Sequence, residues 1–204
     1  MPEVARTYSW VVLTQGDRPA ELMAALASIR AQTGAGVGAE IVVVSNGAGP
    51  LDTGSTDAIG PVTEVVLDEN VGIPAGRNAG IDHASGDIIF FLDDDAVVAH
   101  TDLVERVDYL MATEPALGII SFRLVDPISG HTERRHVPRL RPGDPTVSGS
   151  VTHFLGGACA VRRQVFTQVG GYPAAFFYAM EESCLLYTSP SPRDATLYRM
   201  PSSA

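Results

Sequence analysis

Asp93-Asp94-Asp95 follows the apolar run Ile88-Ile89-Phe90-Phe91-Leu92 with no turn residue between them. Adjacent carboxylates repel one another, so holding them together costs free energy unless a cation or hydrogen bonds offset it. On an extended chain side chains alternate, which turns Asp93 and Asp95 to one side, where both can reach a single ligand. Hard carboxylate oxygens suit Mg2+ or Mn2+, which keep coordination positions for water and substrate phosphates. The plain alternative is a solvated acidic turn, and the buried strand leading directly into the triplet argues against it.

A second segment with chemical potential is Asn70-Val71-Gly72-Ile73-Pro74-Ala75-Gly76-Arg77-Asn78-Ala79-Gly80. Gly72, Gly76 and Gly80 recur every four residues, near one face of a helix, and permit a close approach of its backbone to a strand or ligand. Each glycine costs a helix roughly 1 kcal/mol against alanine, so a helix with no packing demand would not favour them. Arg77 can pair with a phosphate or with a carboxylate of the triplet, where it would order the acidic loop. The spacing is not the dinucleotide fingerprint Gly-x-Gly-x-x-Gly.

The elements that must position these residues are legible in the first half of the chain. Apolar, β-branched runs at Tyr8–Leu13, Glu40–Val44, Val62–Leu67 and Asp87–Leu92 predict strands. Leu22, Met23, Leu26 and Ile29 repeat at helical spacing within Pro19–Gln32, with Asp17 as a candidate cap and Pro19 in the first turn. Further helices are predicted at Pro74–Ala84, stopped by Gly86, and at Thr101–Ala112, with Leu103, Val104, Val107 and Leu110 on one face. Strands unbroken by polar alternation imply a sheet covered on both sides, an α/β sandwich with a largely parallel sheet. Farther on, Gly118–Val125 reads as a strand, His131–Arg139 as a strand or hairpin arm, Pro138–Val147 as a loop, and Arg163–Val169 as a short helix closed by Gly170-Gly171.

The 204 residues suit one domain, and 45% hydrophobic with 19% charged residues is a globular balance. A net charge of −10 lacks the basic face of a general nucleic-acid binder, and no nucleic-acid partner is expected. No apolar run is long enough to span a bilayer, and Met1–Arg6 does not resemble a signal peptide. Two cysteines, Cys159 and Cys184, make no disulfide framework, so a cytoplasmic location is expected. Cys159, in a run of small residues, is expected to be buried.

Taken in order, these segments resemble the family 2 glycosyltransferases with the GT-A fold, a Rossmann-like α/β/α sandwich, over roughly Tyr8 to Ser183. Val11-Val12-Leu13-Thr14 with Gln15-Gly16-Asp17-Arg18 resembles the first strand and the turn that surrounds the nucleotide base. Ile41–Val44 with Ser45-Asn46-Gly47 resembles the second strand, with Ser45 where the family often has Asp. Asn46 or Asp17 would then take over contact with the base, or the donor carries a base other than uracil. Asn70–Gly80 resembles the family's Asn-x-Gly…Arg-Asn-x-Gly segment, and Asp93-Asp94-Asp95 stands at its Asp-x-Asp position. Gly156-Gly157-Ala158-Cys159 through Tyr172 resembles the acceptor-side segment, and Phe176 to Glu182 the stretch ending in the acidic pair that carries the general base.

The resemblance implies transfer of a sugar, with inversion, from a nucleotide-diphosphate donor to an acceptor hydroxyl on a sugar, polysaccharide or lipid-linked molecule. It implies Mn2+ or Mg2+ held by Asp95 and Asp93. Donor-binding residues would be Thr14, Gln15, Asp17, Asn46, Arg77, Asp93 and Asp94, and Glu182 the base with Glu181 as second choice. Basic residues Arg134, Arg135, His136, Arg139 and Arg141 could attract a phosphorylated or lipid-linked acceptor, with peripheral association at the inner face of the membrane.

Beyond Ser183 the apolar periodicity ends and Ser and Pro become dense. Cys184–Asp194 and Arg199–Ala204 resemble the translation of a sequencing-library adapter. The expectation is a glycosyltransferase domain over 1–183, incomplete at its C-terminus, and a disordered segment over 184–204. Two other readings remain: a donor-binding fragment without catalysis, and a sugar-phosphate nucleotidyltransferase. The latter would usually carry a glycine-rich basic loop after its first strand, for which Gln15-Gly16-Asp17-Arg18 is short.

Overall fold

The computed structural model describes residues 6–51, 59–132, 136, 146–151, 153–178, 182 and 196–200. Aromatic and β-branched residues make β1 (Tyr8–Thr14), which is buried along nearly its whole length. It is followed by α1 (Pro19–Arg30), β2 (Glu40–Asn46), β3 (Thr63–Leu67), α2 (Ile73–His83), β4 (Ile88–Asp93), α3 (Leu103–Thr113) and β5 (Leu117–Phe122). The remaining elements are β6 (Gly149–Ser150), β7 (Ala158–Arg162), α4 (Arg163–Val169) and β8 (Thr196–Met200).

The strands form one sheet in the order β3-β2-β1-β4-β7-β5-β8-β6. Four of its seven ladders are parallel: β1 with β2, β1 with β4, β2 with β3, and β5 with β8. Alternation along β1 divides the core. Trp10 and Val12 face a layer built with Leu22, Leu26 and Ile29 of α1 and Val104, Val107 and Met111 of α3. Val11 faces a second layer with Ile81 of α2 and Val165 and Phe166 of α4. The fold is thus an α/β/α sandwich with a mixed, mostly parallel central sheet, as the unbroken apolar strands imply.

Strand order decides where a ligand can sit. The chain runs from β1 outward through β2 to β3, then returns to lay β4 on the other side of β1. That reversal opens a crevice beyond the carboxyl ends of β1 and β4, where open α/β sheets bind ligands. Thr14 ends β1 and Asp93 ends β4, with Leu13 paired to Asp93 in register.

The glycines of α2 fulfil the close approach read from their spacing. A Cβ on Gly76 would lie 2.6 Å from Leu13 Cδ1, and one on Gly80 would meet Val11 Cγ1, so α2 rides directly on β1. Gly170 ends α4 with φ of 80°, a conformation glycine adopts at little cost.

Several expectations are corrected. The residue preceding α1 is Arg18 and makes no side-chain cap, so Asp17 does not cap this helix. Helix α2 ends at Ala84 in extended geometry, not at Gly86. Gly86 instead abuts β1, donating its N–H to Ser9 Oγ at 2.7 Å where a side chain would collide with Ser9. His131 and Thr132 are not in a strand, and most of the expected arm and loop at 133–145 lies outside the described residues. Strand β7 forms despite the weak strand signal of Ala-Cys-Ala-Val-Arg, in which Val161 alone is β-branched. Within 184–204 the described residues Thr196–Met200 form β8 beside β5. An uncovered edge of β5 would present unpaired N–H and C=O groups, and Thr-Leu-Tyr suits the pairing. Cys159 is fully buried, and burial pushes its thiol pKa up, which leaves it unreactive.

Candidate functional site

Strand β4 ends at Asp93, and Asp94-Asp95 form a turn closed by the Ala96 N–H donating to Asp93 O at 3.1 Å, so the carboxylates divide by burial within a turn and not along an extended segment. Asp94 is 3% exposed and points inward, whereas Asp93 and Asp95 are exposed. Thr14 Oγ1 donates to Asp94 Oδ2 at 2.6 Å and accepts the N–H of Gly16 at 3.0 Å, tying the end of β1 to the turn after β4. Burial pushes the Asp94 carboxyl above its ordinary range, with the negative charge of Asp95 and Asp93 adding to it. The Thr14 hydrogen bond and the Arg18 charge oppose that shift without cancelling it. Asp94 therefore braces the turn from within.

Two arginines answer the triplet from opposite sides. Arg18 bridges Asp94, at 2.9 Å from Nη2 to Oδ1, and Asp95, with Asp17 3.7 Å from its Nε. Arg77 lies 3.5 Å from Asp93 Oδ1 and 3.6 Å from Glu182 Oε1, with its guanidinium 5.9 Å from the Tyr172 ring centroid. Asp93 and Asp95 thus have different arginine partners. Burial opposes the charge on Arg77, but Tyr172, Asp93 and Glu182 favour it more strongly and its pKa is raised. Of the two partners foreseen for Arg77, phosphate or carboxylate, the structure provides carboxylates.

The loop before β7 brings the two acidic positions together. Gly156 donates its N–H to Glu182 Oε1 at 3.0 Å, and Gly157 accepts the N–H of Asp93 at 3.0 Å. A Cβ on Gly156 would strike Glu182 and Arg77, and one on Gly157 would strike the Asp93 carboxyl. The paired glycines are therefore a steric requirement of the cluster. Glu181 lies outside the described residues.

Asn46 is buried and its amide is committed to the loop after β3. It donates to Asn70 Oδ1 at 3.0 Å and Gly72 O at 3.3 Å, and accepts from Val71 N–H at 3.0 Å. It holds the loop that leads into α2. Gln15 and Asp17 remain exposed at the mouth of the crevice. Ser45 is buried and donates to Gly49 O.

Three residues escaped the sequence reading as individual functional groups. Arg18 sits in the turn after β1, but nothing in its spacing ties it to residues 76 and 77 positions away. Asn70 accepts from Gly72 N–H at 2.9 Å, closing the turn before α2. Asn78 clamps Tyr172 through both its amide groups, each at 2.8 Å, and so sets the ring beside Arg77. Their only signal was their place in the Asn70–Gly80 and Gly170–Tyr172 segments.

Exposed carboxylate oxygens of Asp93 and Asp95 are chemically fit to hold Mg2+ or Mn2+. Among the described residues no group of three or more His, Cys, Asp or Glu converges as an all-protein cage would require. One or two carboxylates completed by water and phosphate oxygens is the arrangement these residues can supply. No described helix is long and apolar enough to cross a membrane.

Residues 9–170 match the model of a family described as glycosyl transferase family 2. An uncharacterized protein of Haemophilus influenzae is 28% identical over 107 residues, 52% of this chain and 58% of that protein. Among solved structures, S. aureus TarS superposes with a TM-score of 0.72 at 14% identity, covering 97% of this chain and 36% of that one. The mannosyltransferase PcManGT of Pyrobaculum calidifontis, in complex with GDP-Man and Mn2+, gives 0.71 at 19% identity, covering 98% and 56%. GalNAc-T7 with UDP, GalNAc and Mn2+ gives 0.73 at 20% identity, covering 98% and 43%. The chain spans less than two thirds of each of these proteins, and at such identities the structural likeness speaks to the fold.

Proposed function

The chain belongs to glycosyl transferase family 2, and from that premise we propose that it forms the donor-binding side of an enzyme moving a sugar from a nucleoside-diphosphate donor to an acceptor hydroxyl, with inversion. The observation that carries this reading is the pair of exposed carboxylates, Asp93 and Asp95, at the β1/β4 crevice, with Glu182 drawn to the same arginine as Asp93.

In this reading Asp95, assisted by Asp93, holds Mn2+ or Mg2+, which when bound neutralises charge on the departing diphosphate. Thr14, Gln15 and Asp17 border the nucleotide, and Asp94 and Asn46 hold the walls around it. Glu182 takes the proton of the acceptor hydroxyl as its oxygen attacks the anomeric carbon and the bond to the diphosphate breaks. Attack opposite the leaving group inverts that carbon. Gly156 N–H and Arg77 aim the Glu182 carboxylate, and Asp93, on the same arginine, keeps donor and acceptor sides in fixed relation. The acceptor is a sugar, a polysaccharide or a lipid-linked molecule.

Calorimetric titration of UDP, GDP and dTDP into the chain, with and without Mn2+ and beside Asp95→Ala, tests the proposal. The expected result is Mn2+-dependent binding of one nucleotide, lost in the variant. Absence of binding by the folded chain would overturn it. Binding without transfer, whatever acceptor is offered, would favour the non-catalytic alternative.

A further inference from the structure

Arg18 engages the acidic turn from outside. Its guanidinium spans the buried Asp94 and the exposed Asp95, while its own side chain is 44% exposed and so free to swing into solvent. Asp94 is also held by Thr14, whereas Asp95 pairs with Arg18. The cation that neutralises Asp95 is thus a side chain in the turn after β1, and it contacts the carboxylate a metal would use.

We propose that Arg18 is a resident counter-cation of the acidic turn, which occupies Asp95 in the metal-free protein and competes directly with a divalent cation for it. This rests on the reading of Asp95 as a metal ligand given above. Two like charges cannot share one carboxylate at contact distance without repulsion, so metal entry requires the guanidinium to leave Asp95. Arg18 can do this without unfolding the turn, because Thr14 still fixes Asp94. The displaced guanidinium remains at the crevice mouth, where its planar fork suits the oxygens of a nucleoside diphosphate. Metal binding alone then works against Arg18, and metal with diphosphate works with it. The consequence is that the protein takes up its metal poorly by itself and readily together with the nucleotide.

The test is Mn2+ uptake by the full chain, followed by the electron spin resonance of free Mn2+, without nucleotide and then with saturating UDP or GDP. Arg18→Gln is expected to bind Mn2+ about threefold to tenfold more tightly without nucleotide, the scale of an exposed ion pair lost together with a competing charge. With nucleotide present, the advantage shrinks or reverses. Arg18→Lys keeps the charge but cannot span both carboxylates, so it is expected to follow Arg18→Gln. In an Asp95→Ala background the Arg18→Gln change should make no difference.

Wild-type Mn2+ uptake that Arg18→Gln leaves unchanged or weakens, with melting temperature preserved, would overturn competition while leaving the metal site standing. An Arg18→Lys protein indistinguishable from wild type beside a tighter Arg18→Gln would overturn it as well, because long-range charge would then suffice. No uptake by any of these proteins would overturn the metal reading itself.

Discussion

A guanidinium buried between two carboxylates and an aromatic ring cannot be shortened without leaving those carboxylates poorly matched. Arg77→Met would remove the charge facing Asp93 and Glu182 while retaining an apolar stem beside Tyr172. Its expected cost is on the order of 2 kcal/mol, read as a lower midpoint in urea, because Glu182 is largely buried and loses a charged partner. Glu182→Gln behaves differently if Glu182 is the base. The amide still accepts the Gly156 N–H, so nucleotide binding by calorimetry should persist while sugar transfer is abolished. Equal loss of both would remove Glu182 from that role. Gly157→Ala isolates the steric demand: the new methyl strikes the exposed Asp93 carboxyl and not the core. The protein should therefore melt within a few degrees of wild type yet lose most of its Mn2+-dependent nucleotide affinity.

Helix α2 and strand β1 illustrate the same economy between elements. Replacing Gly80 by Ala gains about 1 kcal/mol of helix propensity. The added methyl, however, meets Val11 Cγ1 and lies 3.1 Å from Val44 Cγ2, in a closely packed layer. Overpacking costs about 1–3 kcal/mol, so Gly80→Ala should be net destabilising, with a lower denaturation midpoint. Glu40, on β2, joins three segments by accepting from Ser9 Oγ, Ser85 N–H and Ser85 Oγ. Burial pushes its carboxyl up, but these hydrogen bonds and the Arg163 charge outweigh it and hold the pKa below its ordinary value of 4.5. A depressed folded-state pKa contributes stability that is present above the ordinary value and lost as pH falls through the folded one. Unfolding free energy should therefore fall below pH 4.5, and Glu40→Gln should flatten that acid limb in melts across the range.

At the scale of the molecule, one sheet carries two apolar layers, and its centre is the stack of Trp10 on Phe90, with ring centroids 4.5 Å apart. Both rings are fully buried on β1 and β4, the strands whose ends frame the crevice. Phe90→Ala should cost about 3–5 kcal/mol through the cavity it leaves, and the emission of Trp10, the sole tryptophan, reports the earlier unfolding. Nucleotide affinity per folded molecule should change little, because the ring lies in the layer below the acidic turn.

The amino-acid sequence by itself determined the elements of the first half of the chain and the site's main carboxylates. Unbroken apolar runs can be satisfied only by burial on both faces, helical spacing of Leu22, Leu26 and Ile29 can be satisfied only by a helix, and Asp93-Asp94-Asp95 is anomalous wherever it stands. These are local signals, carried by residues close together in the chain. Tertiary structure alone decided which charges meet. Arg18 reaches Asp95, Arg77 reaches Glu182, and Gly156-Gly157 admits both acidic groups because the sheet order sets β1 beside β4 and β7 beside β4. Contacts between residues tens of positions apart leave no periodicity, and the structural role of a buried polar side chain such as Asn46 is visible only when its hydrogen-bond partners are placed around it.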